Sequence, residues 1–450
     1  MASTLNAGVD GIVLTASSTA ALNIQVGGTN AILIGTGATS TITNTTITSL
    51  TISNPAVFPA GSASAPAVTT TGDTNTGIYF PAADQVAVTT GGTVAAAFNT
   101  NGLFFRNRII NGDMRIDQRN AGAAVTVNSA NNFYVVDRFF GSGQVTDGVF
   151  TVQQSTTAPT NFTNSIIATV TTADASLGAT QQYIVGQAVE GFNAADLRWG
   201  TANALTVTLS FWVRSSLTGT FGGSLVNSGF NRSYPFTYSI SSANTWEQKT
   251  VTIAGDTSGT WLTNNGVGIR VLFSLGAGST YAGTAGAWDG SYKAGATGQT
   301  QVIGTLNATW YITGVQLETG SVATPFERRP YGTELMLCQR YCQKLAGDTA
   351  YTVVTDGWQS ATTSGTFTYS FGNPMRASPT LTTGTVGDFY ARNASIASAL
   401  STLALDGGLS STKETVSFSA TWAGAGGAAG YGAQLVSGLN APRVILSAEL

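Results

Sequence analysis

The chain is written in short runs of alternating apolar and polar residues broken by Gly, Asn and Ser, and this period of two restricts its fold more than any other feature. In Leu205-Thr-Val-Thr-Leu-Ser-Phe-Trp-Val213 every second residue is apolar. Leu205, Val207, Leu209, Phe211 and Val213 therefore share the core face of a strand, and Trp212 falls on the opposite face. Further strand candidates cover 149–153, 166–170, 183–189, 236–240, 249–253, 267–275 and 310–315. Eight or more short strands joined by Gly-, Asn- and Ser-rich turns predict an all-β fold, with a sandwich or jelly roll over 105–330. Only 9% of residues are charged while 10% are aromatic, a balance that excludes a disordered chain, which is rich in charge and poor in rings.

The N-terminal part alternates in the same way but lacks large side chains. Leu22, Ile24 and Val26, then Ile32 and Ile34, then Ile42, Ile47, Leu50 and Ile52 mark short strands, and no large aromatic precedes Phe58. One copy offers little area for a core, and its exposed strand edges would be adhesive. Several copies wound together would bury both, so residues 1–60 are expected to form an intertwined β shaft. Residues 61–104 continue as an Ala-, Ser-, Pro- and Thr-rich linker and Gly72-Asp-Thr-Asn-Thr-Gly-Ile-Tyr-Phe-Pro81. The Asp and Asn of that segment read as turn chemistry, since the bidentate Glu that ends a calcium loop is missing.

The chain has no histidine, which removes the commonest general base, the Ser-His and Cys-His nucleophile pairs and most catalytic zinc sites. No catalytic residue, metal ligand or cofactor is expected. An enzyme would have to use carboxylates, of which Glu190, Glu247, Asp256, Asp289, Glu318 and Glu327 are the candidates in the central module. A net charge of −3 gives no reason to expect a nucleic-acid partner. No apolar run approaches the ~20 residues of a membrane helix, so no membrane insertion is expected. The start Met-Ala-Ser-Thr-Leu-Asn has neither the basic nor the apolar region of an export signal.

Residues 333–345 read as a helix with Thr333 as N-cap and Gly347 just past the end. Leu335, Cys338, Cys342 and Leu345 are spaced three, four and three, the seam of a short coiled coil over 331–347. An amphipathic helix packed on its own chain is the alternative. A bridge between Cys338 and Cys342 would close almost no loop, so both are expected to be free and core-facing. Residues 348–450 read as a smaller β domain. Its Gly-rich 423–432 lacks the Gly-Lys-Ser/Thr ending of a phosphate loop and reads as a surface loop, with Trp422 and Tyr431 as possible contacts.

Two motif clusters bracket the centre: Asn107-Arg-Ile-Ile-Asn-Gly-Asp-Met-Arg-Ile-Asp-Gln-Arg119, and Gly314-Val-Gln-Leu-Glu-Thr-Gly-Ser-Val-Ala-Thr-Pro-Phe-Glu-Arg-Arg-Pro330 running into Glu334-Leu-Met-Leu-Cys-Gln-Arg-Tyr341. Val136-Asp-Arg-Phe-Phe140 lies between them. Together with the Gly72–Pro81 segment and the closing Ser-Ala-Glu-Leu, the set resembles tail-fibre and receptor-binding proteins of tailed bacteriophages, in which the first motif is a strand that opens a jelly-roll module and the second a strand that closes it. The resemblance implies a homotrimeric virion fibre, attached through its N-terminus, that binds host-surface polysaccharide without chemistry and is exposed on the particle. Its rivals are a tailspike-type depolymerase using Asp and Glu, and a purely structural fibre or collar.

The module also resembles carbohydrate-binding jelly rolls. Such modules lay sugar rings on aromatic side chains, and Tyr281, Trp288, Asp289 and Tyr292, with Trp261 as a second choice, lie in the Gly-rich surroundings suited to this role. Core packing is the competing role for each ring. A structural calcium near Asp113 and Glu318 is implied by the same resemblance.

Overall fold

The computed structural model describes residues 57–98, 106–143, 147–346, 349–393, 397–409, 411–423, 428–440 and 443–450, together with the backbone of 25–26 and 29–30. The chain divides into two compact units, Met1–Val57 and Phe58–Leu450. In the first, Gln25–Val26 pairs antiparallel with Thr29–Asn30. The remainder of the expected shaft lies outside the described residues.

The second unit begins with an antiparallel meander of Val68–Thr70, Asp73–Tyr79, Val86–Thr90 and Thr93–Phe98. The segment read as turn chemistry is thus mostly strand, and only its start turns, at Gly72 with φ +86°. The register alternates sides: Tyr79 and Ala87 pair and are buried, whereas Val68, Ile78, Val86 and Phe98 lie on the opposite face and are exposed.

Two six-stranded sheets form the central sandwich. The first runs Glu247–Ile253, Val207–Ser215, Thr309–Thr319, Ser165–Thr172, Val149–Ser155, Val125–Val127, and the second runs Ser233–Ile240, Gly219–Val226, Val267–Ala277, Gln182–Glu190, Phe139–Gly143, Phe133–Val136. Every pairing within them is antiparallel. All eight strands read from the sequence are present. Val207, Leu209, Phe211 and Val213 are buried between the sheets with Phe221, Phe236, Phe273 and Trp310, and Trp212 faces outward and is partly exposed.

The opening motif is a loop rather than the expected strand. Asn111 and Met114 hold positive φ values of 57° and 60°, a conformation no strand accepts. The Asn111 side chain stabilises it, accepting from Ile116 N and donating to Ile116 O and Asp137 O at 3.0, 2.8 and 3.0 Å. Gly112 is required for contact: a Cβ there would lie 2.3 Å from the Val315 carbonyl of the closing strand.

The helix is shorter than its pattern predicts. It spans Tyr331–Gln339 with Pro330 at the N-cap and no side-chain cap bond, and Cys342–Ala346 is a strand paired with Val444–Ser447. The heptad seam therefore does not form. Leu335 and Cys338 stay on the helix, where Cys338 is buried beside Ile110, Ile116 and Tyr341, while Cys342 and Leu345 move to the strand. Ladder bonds to the C-terminal strand outweigh a weak helical preference. Both thiols are free and buried. Burial raises the pKa of each, that of Cys342 to about 12.

Beyond the helix, Val353–Ala361, Ser364–Ser370, Thr415–Trp422, Ala397–Leu405, Phe389–Arg392 and Gly432–Ser437 close into a barrel around Phe367, Phe389, Phe418 and Leu435. A small antiparallel sheet pairs Cys342–Ala346, just after the helix, with the last strand, Val444–Ser447, which in turn pairs with Thr380–Thr383.

The motifs meet in one buried seam. Glu449, next to the chain end, pairs with Arg119 at 2.9 Å and with Arg138. The Arg138 guanidinium lies 3.5 Å from the centre of the Tyr341 ring. Arg340 and the Tyr341 hydroxyl both bond Glu190, at 2.6 and 2.5 Å. Arg376, in the Pro-Met-Arg-Ala run of the C-terminal domain, donates to the carbonyls of Ala448 and Glu449 at 2.7 Å. Asp137, fully buried, accepts from the Gln118 backbone and side chain. Burial pushes its pKa up to about 6, against the lowering effect of those bonds.

Candidate functional site

The aromatic residues singled out in Gly-rich loops are brought together, but as two packed clusters rather than one open platform. Trp261 is buried, and its ring meets Trp199 and Trp288 edge to face at 4.8 and 5.5 Å. Trp288 also packs on Tyr234 at 5.1 Å. The indole N–H groups are used inside the chain: Trp288 donates to Ala254 O at 2.9 Å, and Trp261 to Asp256 and Ser258 O at 3.3 and 3.2 Å. Asp289 caps its own loop through Ser291 at 2.8 Å. Tyr281 and Tyr292 form the second cluster, with Phe230 edge-on to Tyr292 at 5.1 Å and the Tyr292 hydroxyl bonded to Gln182 at 2.6 Å. Burial raises the Tyr292 pKa above the usual tyrosine range. In the C-terminal domain Trp422 is buried, and Tyr431 is exposed.

The open aromatic surface lies instead on the outer face of the first sheet. Trp212 projects there opposite Gln248 on the neighbouring strand. Phe162, from the turn before Ser165–Thr172, and Phe326 meet edge to face at 5.3 Å. The Arg328 guanidinium covers both rings, 4.6 Å from Phe162 and 5.7 Å from Phe326, and donates to Asn161 O. With Ser210 and Gln248 these residues line a groove of about 490 Å³, a size suited to a small ligand. Gly314 keeps it open: its φ is +61°, and a Cβ there would lie 2.7 Å from the Phe162 ring and 3.1 Å from Trp212. The Trp212 indole N–H has no partner among the described residues, unlike those of Trp199, Trp261, Trp288 and Trp310.

The closing motif divides its side chains between groove and seam. Phe326 and Arg328 face the groove. Glu327 accepts from the backbone N–H groups of Arg106 and Asn107 at 3.2 and 2.9 Å, and Arg329 pairs with Glu327 and Glu334 at 3.3 Å. Phe326 and Arg328 were missed from sequence because the motif was read as a closing strand, and Phe162 because it lies in a turn outside any motif. The one available signal was the outward position of Trp212 in its alternating strand.

No carboxylate lines the groove. Glu190 is held by Arg340, Glu247 by Lys249, Asp256 by Arg232 and Glu318 by Gln316 and Thr324. Asp113 pairs with Arg115 at 2.5 Å. Asp113 and Glu318, the residues named for a structural calcium by the resemblance, thus have protein partners, and no group of three His, Cys, Asp or Glu residues among those described could hold a metal ion. No helix among the described residues is long and apolar enough to cross a membrane.

No protein-family model matches the chain, and no curated protein matches it. Solved structures similar to it include the enzymatically active domain of tailspike protein 4 of bacteriophage CBA120, at 11% identity and TM-score 0.26 over 48% of this chain and 21% of that one. A putative sugar-binding protein from Bacteroides thetaiotaomicron aligns at 12% identity and TM-score 0.29, over 48% of this chain and 100% of that one. A carbohydrate-binding module of family 4 aligns at 13% identity and TM-score 0.23, over 47% and 98%.

Proposed function

We propose that this chain is a virion fibre protein, exposed on the particle, that binds host-surface glycans without cleaving them, and that the groove at Trp212 is its principal contact. The observation that carries the reading is a partly exposed indole with an unpartnered N–H, set among two rings, an arginine and neutral amide and hydroxyl groups. Aromatic faces take the apolar side of a sugar ring while amides, hydroxyls and guanidinium bond its hydroxyls. A glycosidase needs two carboxyl groups about 5–9.5 Å apart across its cleft, and this groove lines itself with none. That favours adhesion over the depolymerase.

A homotrimer fits the exposed apolar face of the Val68–Phe98 meander, which a second and third copy would cover. Multiplied contacts would then turn weak sugar binding into firm attachment. Attachment to the particle through the N-terminus completes the reading.

The test is a bacterial glycan array probed with the full chain and with Trp212→Ala, alongside a reducing-end assay on capsule and lipopolysaccharide. Binding that depends on Trp212 with no new reducing ends supports the adhesin. Release of reducing ends would establish the depolymerase. Binding to no glycan, with no block of virus adsorption by soluble protein, would leave the structural fibre.

A further inference from the structure

We propose that the outer wall of the C-terminal barrel carries a second binding site, specific for a saccharide bearing a carboxylate. The site is separate from the Trp212 groove and does not depend on that groove binding anything. It is built by three adjacent strands, Val353–Ala361, Gly432–Ser437 and Phe389–Arg392.

Their register sets Asp356 opposite Gln434 and Gln434 opposite Arg392. All three side chains are exposed, whereas the neighbouring Ala433 and Ala391 are buried in the barrel. The row thus faces outward, its ends two strand spacings or about 10 Å apart. Gln434 donates to Asp356 Oδ1 at 3.1 Å. The Arg392 guanidinium has no ion pair or hydrogen bond among the described residues.

The adjoining row supplies a platform. Trp358 lies on the same face as Asp356, two residues along, and is 45% exposed. Its cross-strand neighbour is Gly432. A Cβ on Gly432 would meet nothing within 4 Å, so the floor beside the indole is bare. Asp356, Gly432, Gln434, Arg392 and Asn393 line a concavity of about 590 Å³.

Each part has a ligand counterpart. An unpaired, planar guanidinium matches a carboxylate in two parallel hydrogen bonds. Asp356, at the far end of the row, accepts from hydroxyls, and the Gln434 amide can donate and accept between. The indole stacks on the apolar face of a sugar ring. A free phosphate would use Arg392 and leave Trp358 and Asp356 without a role.

The experiment is isothermal titration of the full chain with trigalacturonate, hyaluronan tetrasaccharide and α2,8-linked disialic acid, each beside its carboxyl-reduced form. At least one acidic oligosaccharide should bind, and its reduced form should bind about tenfold more weakly or worse, the cost of losing a charge-assisted pair. Arg392→Gln should weaken the acidic form by the same factor. Gly432→Val should block the site while leaving the melting temperature unchanged, because the added side chain enters open space and valine suits a strand. Trp212→Ala should leave this binding intact. Equal affinity for acidic and reduced forms, indifference to Gly432→Val, loss of binding in Trp212→Ala, or no binding by any of the three acids would each overturn the proposal.

Discussion

The seam and the Trp212 groove sit on either side of the same closing motif, and they use charge in opposite ways. In the seam, Arg119, Arg138, Arg329, Arg340 and Arg376 each meet a carboxylate, a ring or a carbonyl from a distant part of the chain, Arg329 through the carbonyls of Asn107 and Ile109. In the groove, Arg328 covers two rings and makes no ion pair among the described residues. Buried charges survive only when paired and hydrogen-bonded, so motif residues in the seam are bound to structure. What remains available to a ligand is what the seam does not use. A recognisable motif therefore marks where this fold is locked, and only partly where it binds.

The sharpest way to break the comparison is to cut the seam. Arg138→Ala removes one of the two arginines paired with Glu449, leaving Arg119, and the cation–ring contact with Tyr341, and the loss of stability should be about 3 kcal/mol, read by denaturant unfolding. Saccharide binding at Trp212 should persist in the fraction that remains folded. Trp261→Ala should follow at about 3 kcal/mol, the cost of removing a packed indole, again without changing glycan affinity. Unchanged stability with lost binding would return this residue to the role first read for it.

Asp137 gives the seam a pH signature. Its folded pKa of about 6 lies above the ordinary 3.8, so the native state takes up a proton first as pH falls through 6. Stability should therefore increase between pH 6 and about 4 and be lost as pH rises through 6, by up to about 3 kcal/mol. Asp137→Asn should flatten that part of the profile. At the small end of the scale, Trp212→Ala should change stability by less than about 1 kcal/mol, since the side chain faces solvent. Native Cys338 and Cys342 should resist thiol reagents, because both are buried with raised pKa values.

Much of the sandwich was legible because period-two alternation survives wherever one face is buried. Gly219–Val226 escaped notice because Gly222 and Gly223 interrupt its apolar alternation. They are strand residues whose missing side chains make room: a Cβ at Gly223 would lie 2.4 Å from both the Leu272 carbonyl and the Phe236 ring. The helix was overextended because nothing local in Cys342-Gln-Lys-Leu-Ala346 announces a partner strand a hundred residues away. Aromatic residues in Gly-rich loops suggested exposure, yet edge-to-face contacts among Trp199, Trp261 and Trp288 let those loops cover their own rings. Conversely, Trp212 sat in plain view on an alternating strand. Its loop and motif partners Phe162, Phe326 and Arg328 come from positions that no local pattern connects.

The most direct test of the account pairs two readings on one protein, binding to the uncharged glycans of an array and the melting temperature, for Trp212→Ala against the unsubstituted chain. The account predicts at least about tenfold weaker binding with the melting temperature essentially unchanged, since an open aromatic platform contributes to the ligand and little to the fold. Full binding after the substitution would contradict it, and so would a collapse in melting temperature, which would make Trp212 another residue of the core.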